Sequence, residues 1–275
     1  MFTGTALIRR PGPALAEGIV THMDRVPVDV DLATRQWDGY AAAMTDSGWD
    51  LVEVPPDDDC PDAVFIEDTV VMYRGVAVLT RPGADARKPE VDGVAKVLES
   101  FGCPVARIHG PATLDGGDVL KVGSTVYVGR GGRTNGEGVR QLRHVLEPLG
   151  ATVVAVPVTN VLHLKSAVTA LPDGTVIGYP PIVDDPHAYD RFLAVPEESG
   201  AHVVLLGGDK LLMAADAPRS ADLFADLGYD PVAVDIGEFE KLEGSVTCLS
   251  VRLRRRVGTP WSTTQLTSAG SATMR

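Results

Sequence analysis

The chain has 275 residues, of which 44% are hydrophobic, and its 25 basic and 37 acidic side chains give a formal net charge of −12. The hydrophobic fraction excludes an intrinsically disordered chain. The acidic balance argues against nucleic acid or an anionic membrane as the main partner, because both require basic surface, and it weakly favours a cationic ligand.

Apolar residues recur at helical spacing in several segments of the chain. The clearest patterns predict helices over residues 33–44, 91–101 and 139–149, and weaker patterns cover 189–192 and 223–227. A glycine follows each of the second and third segments, which is typical of a helix end.

A short alternating run follows each of these helical segments and predicts a strand. The runs are 52–55, 105–108, 154–157, 193–196 and 232–235. Their last apolar residues are spaced by 54, 48, 39 and 39 positions, and self-similarity at about this period indicates a repeat architecture. Most units also contain a predicted β-hairpin. The hairpins pair 70–73 with 76–79, 119–122 with 126–128, and 203–206 with 211–213.

The predicted unit is therefore a strand, a strand pair and a helix, repeated about five times, with 29 glycines and 20 prolines supplying the turns. Because no such unit buries a core alone, we expect an α/β fold in which the five units close radially and remove most sheet edges. A doubly wound parallel sheet is the competing architecture, and the hairpins count against it. We expect one domain over residues 1–257 and a mobile tail over 258–275.

The cysteines and the apolar runs indicate a cytoplasmic location. Cys60, Cys103 and Cys248 are too few and too scattered for a disulfide framework, and no Cys-x-x-Cys pair supports a structural zinc site. The first residues lack a secretory-signal pattern, and no apolar run approaches the roughly 20 residues of a membrane-spanning helix. We expect no metal, no cofactor, no nucleic-acid or membrane partner, and a monomer or homodimer.

Reactive residues fall at matching positions of the repeat. Asp68 and Cys248 each lie 14 residues beyond the end of the preceding short strand, and Asp115 and His163 each lie 7 residues beyond theirs. In a radial fold, residues at matching positions project toward one axis, so we expect them to converge on a single pocket. Cysteine, histidine and carboxylate together are the groups that nucleophilic catalysis requires.

Each of these residues also has a purely structural interpretation. Cys248 lies in an apolar run and His163 lies between two leucines, so both suit core positions, and Asp115 precedes two glycines as in an ordinary turn. Glu67 and Asp68 directly follow an apolar strand, where two carboxylates require solvent, a partner or a cationic ligand.

Two arginine-bearing segments have simpler interpretations. The glycine-rich segment 129–135 suits a phosphate loop but matches neither the P-loop nor the dinucleotide pattern, and its arginine could equally hold a carboxylate. Arg252, Arg254, Arg255 and Arg256 suggest a solvated strand end.

Six segments in order closely resemble the dimethylarginine dimethylaminohydrolases of the guanidine-modifying (pentein) superfamily, between about residue 5 and residue 254. The segments are 61–68, 80–84, 114–120, 133–135, 162–166 and 242–248. They include the runs Phe65-Ile66-Glu67-Asp68, Leu114-Asp115-Gly116-Gly117-Asp118, Leu162-His163-Leu164-Lys165-Ser166 and Gly244-Ser245-Val246-Thr247-Cys248. The resemblance implies a five-bladed αβ-propeller with ββαβ-type repeats.

The resemblance also implies residue roles. Cys248 matches the family nucleophile, His163 its general acid and base, and Asp115 the carboxylate that orients the histidine. The matching substrate-binding positions are Asp62, Phe65, Glu67, Asp68, Arg87, Arg133 and Leu242. Among them, Asp68 is expected to contact the guanidinium. Arg87 and Arg133 are expected to hold the amino-acid end of the substrate. Pro11, in the segment 10–14, matches the position of a leucine in the family's N-terminal lid.

The implied reaction is hydrolysis of Nω-methylated arginine to citrulline and an amine, through a covalent S-alkylthiouronium on Cys248 and without a metal. Arginine deiminases and amidinotransferases of the same superfamily are alternatives, although such chains are usually longer. Ribosome anti-association factors resemble pentein propellers but act by binding, and they lack the cysteine, histidine and acid set.

Overall fold

The computed structural model describes residues 4–254, in which fifteen strands form five three-stranded sheets. In chain order the strands are β1 Gly4–Ile8, β2 Trp49–Glu53, β3 Val70–Tyr73, β4 Val76–Leu79, β5 Val105–Arg107, β6 Val119–Val122, β7 Thr125–Arg130, β8 Thr152–Pro157, β9 Val168–Ala170, β10 Val176–Gly178, β11 Phe192–Ala194, β12 Val204–Gly207, β13 Lys210–Ala214, β14 Asp230–Val234 and β15 Val251–Arg252. The α-helices are α1 Val30–Asp46, α2 Glu90–Ser100, α3 Gly136–Leu146, α4 Leu164–Ala167, α5 Pro218–Asp226 and α6 Gly237–Glu240.

Every sheet, or blade, has the same topology. Its middle strand pairs antiparallel with one neighbour and parallel with the other, as β4 does with β3 and β5. Blade 1 contains β15, β1 and β2, and blades 2 to 5 contain β3–β5, β6–β8, β9–β11 and β12–β14. Five separate small sheets exclude the doubly wound parallel sheet, and the expected five-bladed αβ-propeller is confirmed.

The ring closes by pairing the last described strand with the first. Leu7 of β1 lies opposite Val251 of β15 in an antiparallel register. Side chains alternate across each strand, so a middle strand contributes to two cores. Val126 and Val128 of β7 pack toward blade 2, whereas Tyr127 packs toward blade 4. Five apolar clusters arise in this way, one between each pair of neighbouring blades.

Four blades insert a helix before the third strand, as the periodicity predicts. In α1 the buried face contains Ala33, Trp37, Tyr40 and Met44, and the Asp29 side chain caps the helix by accepting a hydrogen bond from the Leu32 amide. The predicted helices at 91–101, 139–149 and 223–227 correspond to α2, α3 and α5.

The weak helical prediction at 189–192 is wrong. In blade 4 the segment between β10 and β11 forms two 3₁₀ turns, Pro180–Ile182 and Pro186–Ala188, each with proline in its first turn. Proline fixes φ and lacks an amide donor, so three prolines in this short segment prevent a continuous helix.

No helix within residues 4–254 has the length and apolarity needed to cross a lipid bilayer. The predicted domain boundary at residue 257 and the predicted tail over 258–275 lie outside the described residues, as do Arg255 and Arg256.

Candidate active site

Four blades place a reactive side chain at the same structural position, just before the first strand of the blade. Asp68 lies in the 3₁₀ turn Ile66–Thr69 that precedes β3, and Asp115 precedes the turn before β6. His163 precedes α4 and β9, and Cys248 lies in the turn before β15. The matching sequence positions are therefore matching positions in the ring.

These turns meet at a small pocket at one end of the propeller axis. Its lining contains eight of the predicted site residues, namely Asp62, Phe65, Asp68, Arg87, Arg133, His163, Leu242 and Cys248. Ile19, Leu162, Glu243 and Gly244 complete the lining. The free volume is about 10 Å³, which is room for about one water molecule. The pocket is therefore closed in this structure.

His163 is held by Asp115, a fully buried carboxylate behind the pocket. The Nε2 atom of His163 lies 2.9 Å from Oδ2 of Asp115 and 3.8 Å from Oδ1 of Asp68. Burial opposes charging of the imidazole, but Asp68 and the hydrogen bond to Asp115 outweigh it and raise the pKa of His163 to about 9. At neutral pH the raised pKa of His163 therefore favours the imidazolium form.

Gly117 allows Asp68 and His163 to lie close together. Its amide donates to Oδ1 of Asp68 at 2.7 Å, and a Cβ on Gly117 would lie 2.7 Å from both that oxygen and Nδ1 of His163. Burial opposes ionisation of Asp68, but His163 and Arg87 hold the pKa of its carboxyl well below the ordinary value. Asp68 is thus a permanent anion facing the pocket.

The Cys248 thiol lies in a turn with Ser245. The Ser245 amide and hydroxyl each lie 3.5 Å from Sγ of Cys248. Burial raises the pKa of the thiol, and the carboxylates of Glu67 and Asp68 raise it further, although the Ser245 hydrogen bonds oppose this. In the unliganded site the thiol is therefore protonated at neutral pH.

The two predicted arginines differ in how they are bound. Arg87 donates to Asp68 at 2.6 Å, to both oxygens of Glu90 and to the backbone oxygen of Phe65. Burial opposes its charge, but Glu90 and Asp68 raise the pKa of Arg87 well above its ordinary value. Arg133 is also buried, and its Nη1 has no hydrogen-bond partner within residues 4–254. That Nη1 lies 3.8 Å from Oδ2 of Asp115, so it faces the buried carboxylate that holds His163.

Glu67 does not line this pocket, unlike the other predicted substrate-binding residues. Its Oε1 lies 2.6 Å from Lys165 Nζ and 3.0 Å from Arg252 Nη2. These contacts turn the carboxylate away from the pocket and into a separate cavity along the propeller axis. The consecutive residues Glu67 and Asp68 thus line two different cavities along the propeller axis.

The segment that covers the pocket is fixed by two carboxylates. The Ile19 amide donates to both oxygens of Asp62, at 3.1 and 3.2 Å. Glu243 accepts from the amides of Thr21, at 3.0 Å, and His22. Ile19 lines the pocket, whereas Pro11, expected at the lid position, is not among the lining residues.

Three residues that support the site, Asp118, Ser245 and Ile19, are not predicted by the sequence. Asp118 accepts from the Leu164 amide at 2.9 Å and from Thr134, which fixes the turn that carries His163. Ser245 and Ile19 support the site through their backbone amides, which donate to Sγ of Cys248 and to the Asp62 carboxylate. The Asp-Gly-Gly-Asp run is the one sequence signal, since two acids around a glycine pair suit a buried turn.

The pocket also contains the one cluster of potential metal ligands found within residues 4–254. Ligand atoms of Asp68, Asp115 and His163 lie within 4.8 Å of one another. A metal ligand must be deprotonated, and the raised pKa of His163 favours the imidazolium, so a proton competes with any metal here.

The chain is similar to named enzymes over nearly its whole length. It is 66% identical over 249 residues to the N(G),N(G)-dimethylarginine dimethylaminohydrolase of Streptomyces coelicolor, covering 90% of this chain and 96% of the relative. It is 33% identical over 249 residues to the Pseudomonas aeruginosa protein of the same name, covering 90% and 98%. A scan against models of known protein families finds no match.

Solved structures give the same relationship. The Pseudomonas aeruginosa dimethylarginine dimethylaminohydrolase, as a cysteine-to-serine variant complexed with citrulline, has a TM-score of 0.85 at 31% identity and covers 92% of this chain and 100% of that one. An adduct of a dimethylarginine dimethylaminohydrolase with S-methyl-L-thiocitrulline has the same values. The N-terminal domain of the cyanobacterial arginine dihydrolase ArgZ shares the fold, with a TM-score of 0.78 at 19% identity, covering 92% and 99%.

Proposed function

The chain belongs to the dimethylarginine dimethylaminohydrolase family, and on that basis we infer that it hydrolyses Nω-methylated L-arginine to L-citrulline and dimethylamine or methylamine. The observation that carries this inference is the pocket in which Cys248, His163 and Asp68 meet. It combines a nucleophile, a proton donor and an anion that suits a guanidinium.

Substrate binding follows from the charges around the pocket. Asp68 faces the guanidinium, and Phe65 lies beside it, held edge-to-face against Phe239. Arg133 lines the pocket and its guanidinium suits the substrate carboxylate, and Asp62 suits the α-ammonium. Arg87 acts chiefly by orienting Asp68, because most of its donors are already used. The backbone of Leu242 closes the remaining side.

The first chemical step forms a bond between Cys248 Sγ and the guanidinium carbon. The tetrahedral centre collapses as His163 donates a proton to the methylated nitrogen, and the carbon–nitrogen bond breaks to release the amine. An S-alkylthiouronium remains on Cys248. His163, now neutral, takes a proton from water, whose oxygen attacks the same carbon. The carbon–sulfur bond then breaks to release the Cys248 thiolate, and the new hydroxyl loses its proton to give the carbonyl of citrulline.

The substrate itself activates the thiol. In the unliganded site burial and two carboxylates raise the pKa of Cys248, so little thiolate exists at neutral pH. A guanidinium bound against Asp68 neutralises one of those carboxylates and places a positive charge beside Sγ, which lowers the pKa of the thiol. The thiol proton is released to solvent, because His163 already carries a proton, and the nucleophile therefore forms when the correct cation is bound.

A citrulline assay with three substrates tests the proposed function. Arginine, monomethylarginine and asymmetric dimethylarginine are compared side by side with purified enzyme, and the released amine is measured in parallel. We expect equal amounts of citrulline and methylated amine from the methylated substrates, and much slower turnover of arginine. Equal rates on arginine would instead assign the chain to the deiminases, which the 66% identity to a dimethylarginine dimethylaminohydrolase disfavours.

We place this reaction in the cytoplasm, because a catalytic thiol requires reducing surroundings and the three cysteines of the chain are scattered and buried. The partner is the small cationic substrate. Fractionation with an activity assay on each compartment checks the location.

A further inference from the structure

A second cavity of about 560 Å³ lies along the propeller axis, on the side of Glu67 away from the active-site pocket. Its walls come from the first strands of the blades and from β15, and the hairpin turns around Gly75, Gly123 and Gly174 surround its mouth. We call it the axial cavity. Its volume falls within the range of small-molecule binding sites.

The axial cavity is strongly basic in an acidic protein. Five cationic side chains line it, namely Arg74, Lys121, Lys165, Arg252 and Arg254. Glu67 is the one carboxylate among its described lining residues. The whole chain, by contrast, has 37 acidic and 25 basic side chains. Arg252 ends β15 and Arg254 is exposed just beyond it, so the predicted solvated strand end forms part of the wall of this cavity.

Glu67, the single carboxylate of the axial cavity, already forms ion pairs with two of the cations. Oε1 of Glu67 takes both Lys165 and Arg252, at 2.6 and 3.0 Å. Lys121 donates only to a neutral acceptor, the backbone oxygen of Met72 at 2.9 Å, and no carboxylate within residues 4–254 forms an ion pair with Lys121 or Arg254. Positive charge in the cavity is thus left without a counter-ion from the described chain.

The cations repel one another. Lys121 and Arg254 line the cavity but are exposed, so solvent screens part of this repulsion. Partial burial and the charges of Lys165, Arg252 and Arg254 lower the pKa of Lys121, and Glu67 opposes this. Burial and the charge of Arg252 also lower the pKa of Arg254. An anion in the cavity would relieve both effects.

We propose that the axial cavity binds a small multivalent oxyanion, such as inorganic phosphate, between Lys121, Arg252 and Arg254. Several cations that line one cavity and share a single carboxylate favour an anion with more than one negative charge. The same charges exclude a guanidinium or a protonated amine from this end of the axis. Substrate and amine product therefore use the other end.

The floor of the axial cavity adjoins the active site. Glu67, Gly116 and Thr247 line it, and each is next in the chain to Asp68, Asp115 or Cys248. The Glu67 amide also donates to the Cys248 backbone oxygen at 3.1 Å. An anion that draws Arg252 away from Glu67 would thus remove a cation from the carboxylate of Glu67, which raises the pKa of the Cys248 thiol.

Isothermal titration with inorganic phosphate, at ionic strength held constant with sodium chloride, tests the proposal on the full chain. We expect saturable binding of one phosphate per chain that persists in saturating citrulline. Lys121→Met should weaken binding at least tenfold, whereas the exposed-helix control Lys96→Met should not. Binding that citrulline displaces would place the anion in the active-site pocket and overturn the proposal, as would the absence of saturable binding at millimolar phosphate.

A proton-uptake measurement covers the case in which Lys121→Met fails to fold. The pKa of Lys121 is lowered by its neighbours, so binding of the anion should raise proton uptake by the wild-type chain relative to Lys121→Arg. Titrations in two buffers of different ionisation enthalpy should show this uptake in the wild-type chain. Lys121→Arg should still bind phosphate but with smaller uptake. Equal uptake in Lys121→Arg, or equal affinity in Lys121→Met and Lys96→Met, would contradict the assignment.

Discussion

His163 combines two features that rarely coincide, since it is almost fully buried and yet charged at neutral pH. Burial alone would keep the imidazole neutral, so the nearby charge of Asp68 and the hydrogen bond to Asp115 must dominate. The raised pKa makes His163 a ready proton donor to the leaving amine. The imidazolium also contributes to folding stability, because its folded-state pKa lies above the ordinary 6.5.

Replacing Asp115 with asparagine should lower the pKa of His163 from about 9 toward 6.5, because a neutral amide stabilises the imidazolium less than a carboxylate does. An NMR titration of the His163 ring measures this directly, and kcat should fall by about 10²-fold. In the wild type the stabilisation from His163 is fully present below pH 6.5 and is lost as the pH rises through about 9. The loss of unfolding free energy over that window should shrink in Asp115→Asn. An unchanged ring pKa would contradict the role of Asp115.

Gly117→Ala should reduce kcat by about 10²-fold while the chain remains folded, because the new Cβ would lie 2.7 Å from Asp68 Oδ1 and from His163 Nδ1 and would push the two apart. Gly132→Ala is the matched control, since its Cβ would meet no atom within 4 Å among the described residues. Citrulline assays and melting curves of both variants separate misplacement from unfolding. Full activity in Gly117→Ala would refute the close approach.

At the scale of elements, the periodicity of the sequence predicts most helices and the ring itself, because the same pattern returns in every blade. The clear helical faces of α1, α2 and α3 bury the residues that their spacing indicates. Blade 4 breaks the pattern, since its prolines replace a helix with 3₁₀ turns. The order of Asp68, Asp115, His163 and Cys248 along the ring follows from their shared positions before the blade strands.

Contacts between elements could not be predicted in the same way. Glu67 and Asp68 are consecutive, and only the surrounding cations decide that one faces Lys165 and the other faces Arg87. The lid contact depends on which amide of a loop reaches Asp62, and no sequence period encodes that choice. A sequence pattern therefore does not predict which way a single side chain points within a turn.

Gly39→Ala should raise the unfolding free energy by about 1 kcal/mol, because Gly39 lies exposed in the interior of α1 and its Cβ would meet no described atom within 4 Å. Gly138→Ala in α3 is the contrasting variant, because its Cβ would lie 2.0 Å from the Thr113 backbone oxygen. That variant should lose about 1–3 kcal/mol. Urea denaturation compares the two, and equal effects of both changes would show that helix propensity, rather than packing, dominates at these sites.

At the scale of the molecule, every core is shared between two blades, so no blade has a complete core of its own. We therefore propose that the ring unfolds as one cooperative domain. Trp37 and Trp49 report on the core between blades 1 and 5, whereas circular dichroism reports on all blades. Trp261 lies outside the described residues, so Trp261→Phe serves as the background for this test.

Leu142→Ala removes a fully buried side chain from the cluster between blades 2 and 3, and should cost about 2–5 kcal/mol. If the ring is cooperative, the tryptophan transition between blades 1 and 5 shifts as far as the dichroism transition does. His144→Ala, at an exposed position of the same helix, should shift neither. A tryptophan midpoint that stays in place while the dichroism midpoint moves would contradict a single domain.

The covalent role of Cys248 is the central claim, and one assay tests it most directly. Citrulline and dimethylamine released from asymmetric dimethylarginine are measured for the wild type, for Cys248→Ala and for Cys103→Ala, which alters a buried cysteine in the core between blades 1 and 2. The account predicts that the wild type and Cys103→Ala release both products in equal amounts and that Cys248→Ala releases neither. Citrulline formation by a folded Cys248→Ala variant would contradict it.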